Sequence, residues 1–147
     1  MLRPFSFQNT LPTTPEGQNW RTLDEATKTL VKTDLVITNP LGSTTVTRGT
    51  FTLYGPIVFY TIDLSVPNGD GWLVSSYITM PYSALVNNGV LLAPHIALMY
   101  NATLEATIGY AYMSDAANPT RLNLAAGYTN ATGATTTPSI QGWYFRN

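Results

Sequence analysis

Cysteine is absent from this chain of 147 residues, and histidine occurs once. The sequence therefore offers no disulfide, no thiolate ligand for a metal and no cysteine nucleophile. Ionic side chains are also scarce, at 10% of the residues, against about 25% in an average soluble domain. The seven basic residues are scattered singly and the formal net charge is −1, so we expect no nucleic-acid partner.

Long apolar runs are missing too. The longest, residues 90–100, is interrupted by Pro94 and His95 and is shorter than the roughly 20 residues that a membrane-spanning helix needs. The first nine residues lack the continuous apolar stretch of a signal peptide. We therefore expect synthesis in a cytoplasm and no membrane partner.

Two parts are predicted from the distribution of charge, which is concentrated before residue 35. We expect residues 1–33 to form an N-terminal arm and helix, and residues 34–147 to form a β-sandwich domain. Proline recurs through residues 1–18, and because proline keeps its predecessor out of the helical region, this arm is expected to be extended.

A short helix is predicted over residues 19–32. Residues 22–25 match a capping box, and the apolar side chains fall on one narrow stripe. A stripe of this width is not stable alone in water, so it docks on its own domain or meets copies of itself, and both alternatives stay open. The predicted contact residues are Trp20, Leu23, Thr27 and Leu30.

From Leu35 onward the apolar pattern takes the period of strands. Residues 50–54 and 57–64 flank Gly55-Pro56, which predicts a hairpin, and residues 67–71 predict a further turn before a strand at 72–79. Residues 103–112 alternate most clearly, with one face predicted in the core and the other toward solvent or a subunit. Eight or nine short strands indicate an all-β, jelly-roll-like β-sandwich, while closure of the sheet on itself stays open.

Candidate catalytic groups are few. A Ser-His-acid triad needs His95, and no Gly-x-Ser-x-Gly elbow occurs. The acids Asp63, Asp70, Glu105 and Asp115 fit solvated turns and strand edges better than a glycosidase pair or a calcium site. We expect no enzyme, no cofactor and no metal, with a small glycan hydrolase as the weakest alternative.

Aromatic side chains are plentiful, and such rings stack on sugars as well as filling cores and interfaces. Trp72 and Trp143 are the candidate ligand-facing aromatics. They support an alternative function, that of a carbohydrate-binding β-sandwich module.

Residues 47–64 resemble the opening hairpin of small jelly-roll tip domains in bacteriophage fibres. Residues 76–81 are similar to a segment that ends a strand in those domains, with Met80 in place of Leu, and residues 140–145 are similar to their final Gly-aromatic strand. The resemblance spans residues 45–146. It implies a virion structural protein of a tailed phage, either a homotrimeric fibre or knob or a capsid decoration protein that takes part in host attachment.

The resemblance also implies that residues 1–33 are the attachment and trimerisation end. The partners it implies are two further copies of the chain, other virion proteins bound through residues 1–33, and a host surface glycan. Contacts between copies would explain the scarcity of surface charge, because interfaces are depleted in Lys and Glu. The chain departs from the family in having no long shaft repeat and no marked receptor pocket.

Overall fold

The computed structural model of the protein describes residues 27–91 and 96–147, and these residues form strands and turns without a helix. The all-β prediction is confirmed. The strands in chain order are β1 Thr27–Lys32, β2 Ile37–Leu41, β3 Thr45–Tyr54, β4 Ile57–Ser65, β5 Gly71–Thr79, β6 Val86–Asn87, β7 Val90–Leu91, β8 Ile96–Asn101, β9 Ala106–Tyr112, β10 Arg121–Ala125, β11 Tyr128–Thr129 and β12 Pro138–Phe145.

Ten of these strands form one continuous antiparallel sheet. Its order is β1-β3-β4-β12-β8-β9-β10-β5, with β11 beside β10 on the same edge of β5 and β2 on the other edge, while β6 and β7 pair separately. The sheet curls so that its two halves cover one hydrophobic core, an arrangement compatible with a β-sandwich.

Strand alternation supplies that core. On β4, the side chains predicted to share a face, Val58, Tyr60, Ile62 and Leu64, are all buried. The predicted hairpin is confirmed as β3 and β4, joined at Gly55-Pro56. The same core contains the largest fully buried side chains of the other strands, namely Phe51, Trp72, Ile78, Met99, Leu122, Leu124, Ile140 and Tyr144.

The helix predicted over residues 19–32 is wrong at its C-terminal end, where residues 27–32 form β1. This strand pairs with β3 from Thr27 opposite Tyr54 to Lys32 opposite Gly49. The threonines and Val31 favour an extended backbone, and the edge of β3 supplies partners for the backbone groups. The sheet thus begins before the predicted boundary at residue 34, while the arm at 1–18 and residues 19–26 lie outside the described residues.

Two Asn-Ala-Thr sequences form the same turn. Asn101 and Asn130 are fully buried, and the Oδ1 of each accepts a hydrogen bond from the backbone N–H two residues later, at 3.0 Å and 3.1 Å. The Nδ2 of Asn130 also donates to the carbonyl oxygens of Val66 and Ala134, both at 2.7 Å. These side chains therefore tie loops to the sheet.

Candidate functional site

The outer surface of β8 and β9 carries large apolar side chains. Leu98 and Tyr110 lie directly opposite each other in the antiparallel pair, and Tyr100 follows on the same side of β8. Between 44% and 59% of each of these three side chains is exposed. We call Leu98, Tyr100 and Tyr110 the β8–β9 patch.

Small residues occupy the core side of the same two strands. Ala97 lies opposite Ala111, and both are fully buried. Gly109 lies opposite Met99, and a Cβ atom added to Gly109 would be 3.7 Å from the Met99 sulfur, in ordinary van der Waals contact. The Met99 side chain fills this part of the core, and Tyr110 on β9 points outward, whereas Ile108 is half-buried and packs against the core. At Tyr110 this is the reverse of what hydrophobicity alone would suggest for the alternating strand at 103–112.

A shallow groove follows β4 and β12 on the same outer face. Phe59 and Trp143 are directly opposite each other on the two strands and are 47% and 41% exposed. The next cross-strand pair is Thr61 and Gln141. We call this surface the β4–β12 groove, and its outward side chains are Thr50, Thr52, Phe59, Thr61, Gln141 and Trp143.

The groove and the patch are neighbours, because Gln141 on β12 pairs with Leu98 on β8. Strands β8, β9 and β12 contain no ionic side chain. At one end of the groove Arg48 lies opposite Asp63, and its Nε donates to the Thr50 hydroxyl at 3.2 Å. This outer face therefore offers apolar contacts, hydroxyls and an amide rather than charge.

Of the two predicted ligand-facing tryptophans, only Trp143 lies on the outer surface. The prediction that Trp72 faces a ligand is wrong. Its side chain is 1% exposed, and its ring stacks on Tyr128 with a centroid distance of 4.7 Å. Trp72 is buried because Gly71 and Trp72 pair with β11 on one edge of β5 and with β2 on the other, so this end of β5 is enclosed from two sides. Trp72 is a core residue and presents no ring to a ligand.

The predicted contact stripe of Trp20, Leu23, Thr27 and Leu30 is only partly described. Leu30 is half-buried opposite Phe51 and packs against the core of its own domain. Thr27 is placed by its backbone pairing with Tyr54. Trp20 and Leu23 lie outside the described residues, so their predicted role stays a prediction.

Of the acids considered as catalytic candidates, Asp63 lies opposite Arg48 at one end of the β4–β12 groove, and Asp70 and Asp115 hold turns. The carboxylate of Asp70 accepts hydrogen bonds from the Ser43 hydroxyl at 2.7 Å and from its backbone N–H at 2.8 Å, which lowers the pKa of Asp70 below its usual range. Asp115 is held by the Asn118 side-chain amide and the Ala117 N–H, and these bonds lower its pKa in the same way. Glu105 is exposed in a turn with a φ of 49°.

His95 lies outside the described residues. Within residues 27–91 and 96–147, no group of three or more His, Asp or Glu side chains is placed to hold a metal ion. Two tyrosines are buried near one another, with ring centroids 6.0 Å apart, and burial raises the pKa of both Tyr60 and Tyr144. The Tyr144 hydroxyl donates to the Tyr82 carbonyl at 2.7 Å, so it serves packing.

Sequence reasoning missed the β8–β9 patch as a surface. The signal was present in the smaller residues of the same strand, because Gly109 and Ala111 alternate with Ile108, Tyr110 and Tyr112. When the smallest residues of a strand share one face, that face can lie against a core that the larger side chains of the neighbouring strand already fill.

None of the described residues belongs to a helix long and apolar enough to cross a membrane. Comparison with protein-family models, curated proteins and solved structures found no match. The chemistry of the two outer surfaces is therefore the basis for a functional proposal.

Proposed function

We propose that this protein is a non-enzymatic structural component of a tailed-phage particle that assembles as a homotrimer. It acts as a fibre or knob protein, or as a capsid decoration protein. The observation that carries the self-assembly is the β8–β9 patch, where two strands point their small residues inward and Leu98, Tyr100 and Tyr110 outward.

A surface of this kind is typical of a subunit contact. Interface centres are enriched in aromatic residues and depleted in charge, and Tyr is among the residues that contribute most to binding energy. The β8–β9 patch has two tyrosines and a leucine on strands without an ionic group. Assembly through this surface removes apolar area from water, and that also explains how a chain with 10% charged residues stays in solution.

The phage assignment is supported by the resemblance of residues 47–64 and 140–145 to fibre tip domains. These segments correspond to β3, β4 and β12, which are adjacent strands of the sheet. A role outside catalysis is supported by the acids, since Asp70 and Asp115 are engaged in turns.

The self-assembly is tested by measuring molar mass in solution. Analytical ultracentrifugation of the full chain is expected to give a trimer, and the double variant Leu98→Ser with Tyr110→Ser is expected to give a monomer with an unchanged circular dichroism spectrum. Val74→Ser, on an exposed part of β5, is the matched control and keeps the trimer. A monomeric wild-type chain at high concentration would contradict the proposal.

The place in a particle needs a separate measurement. We expect an epitope tag on the C-terminus to be detected by immunogold labelling on purified phage particles, at a regular position on head or tail. Labelling absent from particles but present in the lysate would rule out the virion assignment and leave the oligomer intact.

A further inference from the structure

The β4–β12 groove lies close to the point where the N-terminal segment enters the sheet. Strand β1 begins at Thr27, which shares a cross-strand row with Tyr54, Ile57 and Phe145. On the outer face, the next row contains Thr29, Thr52, Phe59 and Trp143. The aromatic pair is thus two residues along the strands from the start of β1 and three strands across.

This distance is short for the chain that precedes Thr27. Neighbouring strands are about 4.8 Å apart, so β12 is roughly 14 Å from β1 across the sheet. An extended chain covers about 3.3 Å per residue, so about five residues span this distance. Twenty-six residues precede Thr27; Leu23, four residues before it, is near enough to reach Phe59 on β4, and Trp20, seven residues before it, is near enough to reach Trp143 of the same copy.

The chemistry of the segment matches the groove. Trp20 and Leu23 are the large apolar side chains of residues 20–26. The groove offers two half-exposed aromatic rings, flanked by hydroxyls and one amide, with Arg48 and Asp63 at one end only. Apolar side chains gain from contact with such rings, and aromatic pairs contribute about 0.5–1.5 kcal/mol beyond the burial of area.

We infer that residues 20–26 dock in the β4–β12 groove of the same copy, with Trp20 and Leu23 against Phe59 and Trp143. A tether of a few residues gives the segment an effective concentration in the millimolar range, which favours its own groove over that of a neighbour. The two surfaces then have different partners: the groove binds the chain's own N-terminal segment, and the β8–β9 patch remains available for contact with other copies.

The cysteine-free chain allows a direct test by cross-linking. The double variant Thr22→Cys with Thr52→Cys places one thiol in the segment and one in the groove. Thr22→Cys with Val74→Cys is the matched control, because Val74 is an exposed position on β5. With a short bismaleimide, we expect the first pair to form an intramolecular cross-link at least tenfold faster than the control pair, read by peptide mass spectrometry.

Further variants distinguish docking from simple proximity. Adding Trp20→Ala and Leu23→Ala, or Phe59→Ala, to the first pair is expected to slow the cross-link at least fivefold. Adding Pro12→Ala is expected to leave its rate unchanged. All variants are also made with Leu98→Ser and Tyr110→Ser, so that the result does not depend on whether the protein forms a trimer.

Three outcomes would overturn the inference. Equal rates for the groove pair and the control pair would show that the segment does not dock there and would leave the groove open to a glycan. Covalent dimers from a mixture of the two single-cysteine variants would assign the groove to a neighbouring copy. A full rate after removal of Trp20 and Leu23 would mean that the tether alone brings the thiols together.

Discussion

At the scale of single residues, short polar side chains hold the turns from which the strands emerge. Asn130 shows this most clearly, because its amide donates to two carbonyls from different loops and its oxygen accepts from Thr132. Both Asn-Ala-Thr sequences are explained by this turn geometry. A glycan on either buried amide would break it.

Replacing Asn130 by Asp is expected to destabilise the fold strongly. A carboxylate cannot donate to the Val66 and Ala134 carbonyls, and a buried charged group that loses its hydrogen bonds and faces two carbonyl oxygens costs about 1–3 kcal/mol or more. We expect the free energy of unfolding in urea to fall by roughly 2–4 kcal/mol. Asn87→Asp, at an exposed position, serves as the control, and a loss of equal size there would refute the assignment.

The stability of the turns is also expected to depend on pH. The pKa of Asp70 is lower in the folded chain than the unfolded value of about 3.9, because Ser43 donates two hydrogen bonds to it. A depressed carboxyl pKa contributes stability that is present above the unfolded value and is lost as pH falls through the folded one. Stability should therefore decline below about pH 4.

Urea unfolding of wild type and Ser43→Ala between acidic and neutral pH measures this contribution. The variant lacks the hydroxyl donor, so we expect it to lose less stability on acidification than wild type does. Ser75→Ala, on an exposed part of β5, should follow the wild-type curve. Parallel curves for wild type and Ser43→Ala would exclude the contact as a source of the pH dependence.

At the scale of strands, the sequence predicts hairpins well and isolated edge strands poorly. Strands β3 and β4 are adjacent in the chain, so Gly55-Pro56 and the alternation on each side are enough to predict their pairing. Residues 27–32 were predicted as the end of a helix because a capping box precedes them and Leu30 and Val31 continue the helical spacing of Trp20 and Leu23. The extended form of β1 depends on pairing with β3, which lies about twenty residues further along the chain. The sequence of residues 27–32 alone does not indicate this pairing.

The assignment of β1 as a strand is tested by two neighbouring positions. Leu30 packs against the core while Val31 is exposed, as alternation in a strand requires. We expect Leu30→Ala to lower the free energy of unfolding by about 1–2 kcal/mol, less than for a fully buried leucine, and Val31→Ala to change it by less than about 0.5 kcal/mol. Equal effects at the two positions would be inconsistent with this strand.

The site shows the same limit. The sequence of residues 103–112 shows the alternation but not which face is buried. The buried face is determined by Met99 on the neighbouring strand, because its side chain occupies the space next to Gly109. Trp72 was misplaced for a similar reason. Its burial depends on Tyr128, more than fifty positions away.

At the scale of the whole molecule, the all-β class followed from turn spacing, whereas the order of strands did not. Pairing of β4 with β12 joins residues about eighty positions apart, and the sequence of neither strand predicts that the other is its partner. The outer face that results, with its patch and groove, exists only once β12 lies between β4 and β8.

Self-assembly predicts a stability that depends on protein concentration. Binding between folded copies stabilises the folded state by mass action, so Tm should rise by several degrees over roughly a hundredfold range of concentration. Circular dichroism melts of wild type and of the variant with Leu98→Ser and Tyr110→Ser provide the comparison. The variant should melt at one temperature throughout, and a wild-type Tm that does not move would argue against subunit contacts.

The central place of β12 has a consequence for synthesis of the protein. Until residues 138–145 have left the ribosome, β4 and β8 each lack a neighbour, and the nascent chain holds two unpaired strand edges. Formation of the complete sheet waits for the last strand of the described chain. A cell that makes this protein in quantity must keep many such incomplete chains apart for the time that translation takes.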